Sequence, residues 1–91
     1  MPIAVISVGE FYILMSPKNR YYYRCPLDYG AVFLSSNPED ATRFDSLEQA
    51  VSMLEAYNEY SNKYYLEEDL KEINKPMLEV YRINIEYKLS Q

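Results

Sequence analysis

Residues 45–60 read DSLEQAVSMLEAYNEY, and this stretch decides the fold because it carries the clearest helix signal in the chain. Asp45 and Ser46 are both good N-cap residues. A Glu or Gln follows each of them by three positions, so two capping boxes overlap at the start of the stretch. Apolar residues then recur at helical spacing: Leu47, Ala50, Val51, Leu54 and Tyr57. The pattern predicts an amphipathic helix that runs to about residue 60 and lies on a sheet.

Two apolar runs near the start of the chain predict strands of that sheet. Residues 3–8 are β-prone, and a second run, residues 11–15, follows Gly9-Glu10. Residues 11–15 are apolar at every position rather than at alternate positions, which predicts a strand covered on both faces. Residues 16–19 have the chemistry of a turn, so residues 20–25 are predicted to return as the second arm of a β-hairpin.

The second arm of the hairpin has a predicted inward face. A period of two places Tyr21, Tyr23 and Cys25 on one side, which we expect to point inward. Residues 31–34 then predict a third strand. Residues 37–40 combine an N-cap asparagine, a proline at the first helical position and two acids, which predicts one short helical turn.

A second helix is predicted after residue 60. Leu66, Leu70 and Ile73 resume an apolar period of three to four residues. The period ends at residues 74–76, where Pro76 cannot continue a helix.

The last segment predicts a closing strand. Apolar and polar residues alternate over residues 81–89, as in a half-exposed strand. Leu78 and Val80 have the opposite parity, so either a bulge shifts the phase or the start of the strand is buried on both sides. We therefore expect a single α+β domain, an antiparallel β-sheet of three to five strands with one or two helices packed on one face.

Composition argues against catalytic and metal chemistry. The chain has no histidine, so nucleophile arrangements that use imidazole cannot be assembled, and Cys25, the single cysteine, is expected to be a buried, inert thiol. A disulfide-linked dimer is the other option for that thiol. Two glycines are too few for a phosphate-cradling loop or a dinucleotide fingerprint, and the acids of residues 67–72 lack the glycine of an EF-hand. We expect no enzyme activity, no metal and no cofactor.

Compartment and membrane association follow from similar observations. A lone thiol fits a reducing compartment, and the first residues lack the positive region of a signal peptide. The longest apolar stretches fall far short of the roughly 20 residues that span a bilayer. We expect a cytoplasmic protein without a membrane segment.

Charge is distributed unevenly along the chain. Residues 1–43 carry four acids and four bases, whereas residues 44–91 carry ten acids and five bases, so the net charge of −5 resides in the second half. A negative field disfavours direct binding of nucleic acid and favours a basic protein partner.

The acids of the second half form the candidate binding surface. On an ideal helix, Glu48, Glu55 and Glu59 fall within about 40° of one line. Further acids lie on the predicted second helix, with tyrosines among them, and aromatic rings with a polar tip are favoured at interfaces. The predicted partner-binding residues are Glu48, Glu55, Glu59, Tyr60, Tyr64, Glu67, Glu68 and Glu72. The alternative interpretation is that these acids only solvate the outer faces of two amphipathic helices.

A basic hairpin offers an opposite interpretation. Lys18, Arg20 and Arg24 surround Tyr22, whose ring could stack on a base. The net negative field of the molecule argues against this.

The segment from Ala41 through Phe44 and Ser46 to Ala50 has the pattern A-x-x-F-x-S-x-x-x-A. In this pattern the chain resembles small uncharacterised bacterial and phage-encoded proteins. In size and charge it is similar to small phage-encoded inhibitors of host defence, including anti-CRISPR and anti-restriction proteins. The similarity implies a DNA-mimicking inhibitor in the host cytoplasm that blocks a basic surface of a nucleic-acid-processing enzyme. The alternative is a small structural or regulatory subunit that homodimerises through exposed tyrosines.

Overall fold

A computed structural model describes residues 3–24, 32–60 and 63–90, with side chains for residues 9–24, 32–60 and 63–84. Its elements are, in order, β1 (Ile3–Met15), β2 (Tyr22–Arg24), β3 (Val32–Ser35), a 3-10 helix (Pro38–Asp40), α1 (Leu47–Glu59), β4 (Tyr64–Leu66), β5 (Lys71–Ile73) and β6 (Glu79–Ser90). The strands form one six-stranded sheet in the order β5-β4-β3-β2-β1-β6. The predicted α+β class, a sheet with a helix packed on it, is confirmed, and the sheet has six strands rather than three to five.

One pair of neighbouring strands differs from the predicted antiparallel arrangement. β3 and β4 are parallel, whereas the other described strand pairs are antiparallel. Parallel neighbours require a long crossover connection, and α1 lies in the connection between β3 and β4.

The two predicted N-terminal strands are one strand. β1 pairs with β6 from Ile3↔Ser90 to Met15↔Glu79, and the register shifts between Ser7 and Gly9. The glycine that suggests a break in the sequence is therefore a β-bulge, because a long partner strand carries the pairing across it.

The predicted hairpin and short helical turn are confirmed. Met15 pairs with Tyr22, and the Ser16 amide donates a hydrogen bond of 2.8 Å to the Tyr21 carbonyl. Tyr23 points inward and is buried, and Tyr21 packs against the same core. The prediction for Cys25 lies outside the described residues. At the 3-10 helix, the Asn37 side chain accepts a hydrogen bond from the Glu39 amide, as the capping pattern predicts.

The N-terminus of α1 has the predicted Ser46 cap, and Gln49 reaches back to the amide of Asp45, one residue before the N-cap residue that a capping box would use. The Ser46 hydroxyl oxygen accepts a hydrogen bond from the Gln49 amide, and the Gln49 side chain accepts one from the Asp45 amide, each at 3.2 Å. The helix ends at Glu59, which confirms the predicted boundary near residue 60. The predicted apolar stripe is only partly inward: Ala50 and Tyr57 are buried, but Leu47 is 52% exposed and Val51 38% exposed.

The predicted second helix is wrong. Residues 64–73 form a β-hairpin in which Tyr64 pairs with Ile73 and Leu66 with Lys71. Leu70 has a φ of 48°, a left-handed conformation that a helix does not contain. Its side chain is 69% exposed, so the spacing of Leu66, Leu70 and Ile73 matches a helical period by coincidence.

The main core lies between α1 and one face of the sheet. Its buried members are Leu14, Tyr23, Val32, Leu34, Phe44, Ala50, Tyr57, Tyr64 and Leu78. No helix of the described residues is both long enough and apolar enough to cross a bilayer.

A smaller apolar cluster covers the opposite face of β1, where the segment 38–43 lies. Ile13, Met15 and Ala41 are buried there, and the Arg43 guanidinium lies 4.4 Å from the centre of the Phe11 ring. The prediction that residues 11–15 are covered on both faces is confirmed. Coverage on both faces also explains why the apolar residues change parity at the start of β6. Leu78 is buried in the main core on one face of the sheet, whereas Ile83 lines the smaller cluster on the other face.

Candidate functional site

The outward side of α1 carries three carboxylates in one line. Glu48, Glu55 and Glu59 are exposed, and they project away from Ala50 and Tyr57, the buried residues of the helix. Residues 45–62 contain no lysine or arginine. Within the described part of the chain, no ion pair includes any of the three carboxylates. We call Glu48, Glu55 and Glu59 the acidic ridge.

A shallow groove runs beside the N-terminal half of the acidic ridge. It has a volume of about 640 Å³ and is lined by Phe44, Ser46, Glu48, Gln49, Ser52 and Met53. The lining combines an apolar floor with one carboxylate and several neutral hydrogen-bonding groups. Such a groove can accept an aliphatic stem that ends in a positive charge.

Of the predicted contact residues, Tyr64 belongs to the core, and Tyr60, which is half-buried, packs against it. Tyr64 is buried, and its ring packs edge-on against Tyr57 and Tyr60, with centroids 5.5 Å and 5.8 Å away. The Tyr64 hydroxyl donates a hydrogen bond to the Tyr60 carbonyl. These tyrosines therefore hold the C-terminal end of α1 on the sheet.

Tyr57 packs with Tyr60 and Tyr64 in one aromatic cluster, and Lys75 lies over the Tyr57 and Tyr64 rings. The Tyr57 hydroxyl donates a hydrogen bond of 2.8 Å to the Pro76 carbonyl, and burial, with a contribution from nearby Tyr64, raises the pKa of Tyr57. The Lys75 ammonium lies 5.3 Å from the centre of the Tyr57 ring and donates hydrogen bonds to the carbonyls of Asn58 and Tyr60. It thus satisfies free carbonyls at the C-terminus of α1, where a positive charge is favoured.

The remaining predicted acids lie on the β4–β5 hairpin and do not join the acidic ridge. Glu67 accepts a hydrogen bond of 2.7 Å from the Arg24 guanidinium, which also lies 4.0 Å from Asp40. Glu72 lies 3.8 Å from the Lys63 ammonium, and both side chains are well exposed. These contacts give Glu67 and Glu72 a close positive charge, whereas no ion pair among the described residues includes a carboxylate of the acidic ridge.

Glu68 is held by the last residue of β3, Ser35, and by Ser36, which follows it. It accepts hydrogen bonds of 2.7 Å from the Ser35 hydroxyl, 2.8 Å from the Ser36 amide and 3.1 Å from the Ser36 hydroxyl. Burial opposes its ionisation, but these hydrogen bonds prevail and lower the pKa of Glu68 from 4.5 to about 2. Its carboxylate stabilises the junction of two turns.

Sequence reasoning missed this polar junction, which joins Arg24, Ser35 and Asp40 to the β4–β5 turn. Its partners are 32 to 43 residues apart in the chain, and no local pattern indicates such pairs. The junction also pairs the charge of Arg24 with Glu67, so Arg24 is not a free cation of the alternative basic hairpin. Lys18 and Arg20 of that hairpin are exposed. The described residues contain no group of three acidic, cysteine or histidine side chains that could hold a metal ion.

Comparison with known proteins adds no relative to these observations. The chain matches no family model, no curated protein and no solved structure.

Proposed function

We propose that the protein is a non-enzymatic binding domain that occupies a basic surface of another protein with the acidic ridge of α1. The observation that carries the proposal is the alignment of three exposed carboxylates along a helix whose residues include no base. The groove beside Glu48 extends the same surface and supplies apolar area for the stems of lysine or arginine.

The arrangement of the ridge supports a binding role over simple solvation. Glu55 and Glu59 are four residues apart, and like charges at this spacing destabilise a helix by a few tenths of a kcal/mol. Both also lie near the C-terminus of α1, where negative charge is disfavoured. A helix that only needed solubility would gain stability from lysine at either position.

The proposed partner is a protein that binds nucleic acid. Two carboxylates four residues apart on a helix rise by about 6 Å, close to the roughly 6–7 Å between successive phosphates of a DNA strand. A cationic groove that accepts a phosphate backbone would therefore accept Glu55 and Glu59, with Glu48 about 10.5 Å further along the helix. The small size and negative charge are those of phage-encoded inhibitors of host defence, so the partner class we propose is a nucleic-acid-processing defence enzyme, blocked sterically and electrostatically.

The test compares two triple variants that remove equal charge. The first replaces Glu48, Glu55 and Glu59 by Gln, and the second replaces Glu39, Asp69 and Glu79, exposed acids outside α1, by Gln or Asn. Affinity purification from host extract with the wild type provides the partner, and calorimetry with the purified partner measures each Kd. We expect the ridge variant to bind about threefold to a hundredfold more weakly, since each of three exposed charge pairs contributes about 0.2–1 kcal/mol.

The control variant should bind like the wild type, and circular dichroism should show that both variants are folded. The wild-type affinity should also fall as salt is raised, because the interaction is between charges. Equal loss of affinity in the two variants would point to net charge rather than the ridge. Unchanged affinity in the ridge variant would overturn the proposal.

A further inference from the structure

The two edges of the sheet differ sharply in how they are protected. β5, at one edge, has three residues, two of them charged, which is a common way to keep an edge from pairing with another chain. β6, at the other edge, runs for 12 residues without a proline. It carries four charged residues, two acids and two bases, so its length and mixed charge, rather than a lack of charge, set it apart from β5. The bulge that would twist an edge away is in β1 and not in β6. No described strand pairs with the outer side of β6.

The outer part of the β1–β6 pair has no other strand to support it in the described chain. β1 meets β2 only at Met15 and Phe44 only at Tyr12, so residues 3–9 pair with β6 alone. Five of the six residues 3–8 are apolar. A two-stranded ribbon is marginally stable in water, and an apolar one needs a third strand or a covering face.

The side of α1 that faces β6 is also incompletely covered. Met53, Ala56 and Tyr60 line a cavity with Tyr23 and Val32, so that side of the helix faces β2 and β3. Leu47 and Val51 lie on the opposite side of α1, toward β6, and they are its two exposed large apolar residues. An apolar strip thus borders the free edge.

The sequence of β6 is complementary to itself when two copies run antiparallel. In the register that places Asn84 opposite Asn84, Arg82 lies opposite Glu86, Tyr81 opposite Tyr87 and Ile83 opposite Ile85. In the middle of the strand these pairs combine like hydropathy, and the two symmetry-related pairs of Arg82 with Glu86 have opposite charge. Toward the ends, Val80 lies opposite Lys88 and Glu79 opposite Leu89, so the complementarity is confined to residues 81–87. If the twofold axis passed through residue 85 instead, Arg82 would lie opposite Lys88 of the partner. If it passed through residue 82 or residue 86, that charged residue would lie opposite its own copy, and the two like charges would repel.

We propose that two copies of this chain pair through β6, antiparallel and about a twofold axis at Asn84, so that their two six-stranded sheets become one continuous sheet. Each outer ribbon then gains the partner's β6 as a third strand, and the exposed apolar strip of α1 lies beside the junction. The pairing is isologous and closed, which stops further growth at the edge. It does not rest on the proposed function, because the acidic ridge points away from the sheet and remains open.

The first experiment measures the mass of the full chain in solution. Light scattering after size-exclusion chromatography should give twice the 10.8 kDa of one chain. Arg82→Glu places a second carboxylate opposite Glu86, and Glu86→Arg places a second guanidinium opposite Arg82, so each variant should weaken the dimer about tenfold. An equimolar mixture of the two variants should restore it, because each contact then joins opposite charges.

The mixture distinguishes a lost interface from a damaged fold. Arg82 also lies 3.7 Å from Glu10 within the chain, but mixing two variants cannot repair that internal contact. Restoration by mixing therefore assigns both the interface and its register. A wild type that is monomeric at every concentration would overturn the proposal, as would a dimer that both single variants form unchanged. The ridge variant should remain dimeric, so failure of this proposal is separable from failure of the proposed function.

Discussion

Glu68 has the most strongly lowered pKa among the described residues. Its carboxylate is ionised at neutral pH and accepts three hydrogen bonds from Ser35, at the end of β3, and Ser36. The Ser35 hydroxyl also lies 2.8 Å from a carboxylate oxygen of Asp40. The Glu68 side chain is exposed, so solvent screens part of its interaction with the two serines. Its role is to fasten the β4–β5 turn to the body of the sheet.

Glu68→Gln should reduce the free energy of unfolding by about 1 kcal/mol at pH 7, because it removes charge-assisted hydrogen bonds. The folded pKa is about 2 and the ordinary value 4.5, so the contribution is complete above pH 4.5 and is lost as the pH falls toward 2. The difference between wild type and variant should therefore shrink over that interval. Urea unfolding at neutral and acidic pH measures it.

Asp69→Asn is the matched control for this prediction. It removes the neighbouring negative charge, and the Asp69 side chain makes no hydrogen bond or ion pair to the described residues. Its stability should follow that of the wild type at both pH values. A Glu68→Gln variant that is equally stable at pH 7 would show that the hydrogen bonds contribute nothing net.

At the scale of elements, two hairpin turns of the described chain contain a non-glycine residue with a positive φ. Leu70 closes the β4–β5 turn at φ 48°, and the turn between β1 and β2 contains Arg20 at φ 58°. Residues with a Cβ are strained there by about 1–2 kcal/mol, whereas glycine adopts this region freely. Both turns are exposed, so neither side chain contributes to the core.

Leu70→Gly should stabilise the protein by about 0.5 kcal/mol. Relief of the left-handed strain exceeds the added entropy of glycine in the unfolded chain, and the exposed leucine has little packing to lose. Chemical denaturation followed by circular dichroism provides the measurement. Leu70→Ala, which removes the side chain but keeps a Cβ, should give no gain, and equal gains in the two variants would contradict the argument.

At the scale of the whole molecule, stability and association should be coupled. A small domain with a long free edge gains folded-state stability from any copy that binds that edge. The melting temperature should rise by about 3–4 °C for each tenfold increase in protein concentration, given the unfolding entropy of two chains of this length. Differential scanning calorimetry over a roughly hundredfold concentration range tests this. The Arg82→Glu variant should have a lower, less concentration-dependent melting temperature, and a wild type without concentration dependence would contradict the coupling.

Local residue chemistry is sufficient wherever an element is specified by its own sequence. The caps at Asn37 and Ser46, the hairpin turn after Met15 and the alternation of β6 all follow from the sequence, because a cap or a turn is made by residues within four positions of one another. The line of Glu48, Glu55 and Glu59 is predictable for the same reason: helical geometry alone determines which residues share a side.

The tertiary structure decided what depends on distant neighbours. Residues 64–73 form strands because Tyr64–Leu66 pairs in parallel with β3, Val32–Ser35. The hydrogen bonds and side-chain packing of this pairing stabilise the strands more than a short helical period would stabilise a helix. It also moved Glu67 and Glu68 to Arg24 and Ser35, and buried Tyr64 in the core. A sequence pattern records the spacing of residues along the chain, whereas burial and charge pairing depend on which segments meet in space.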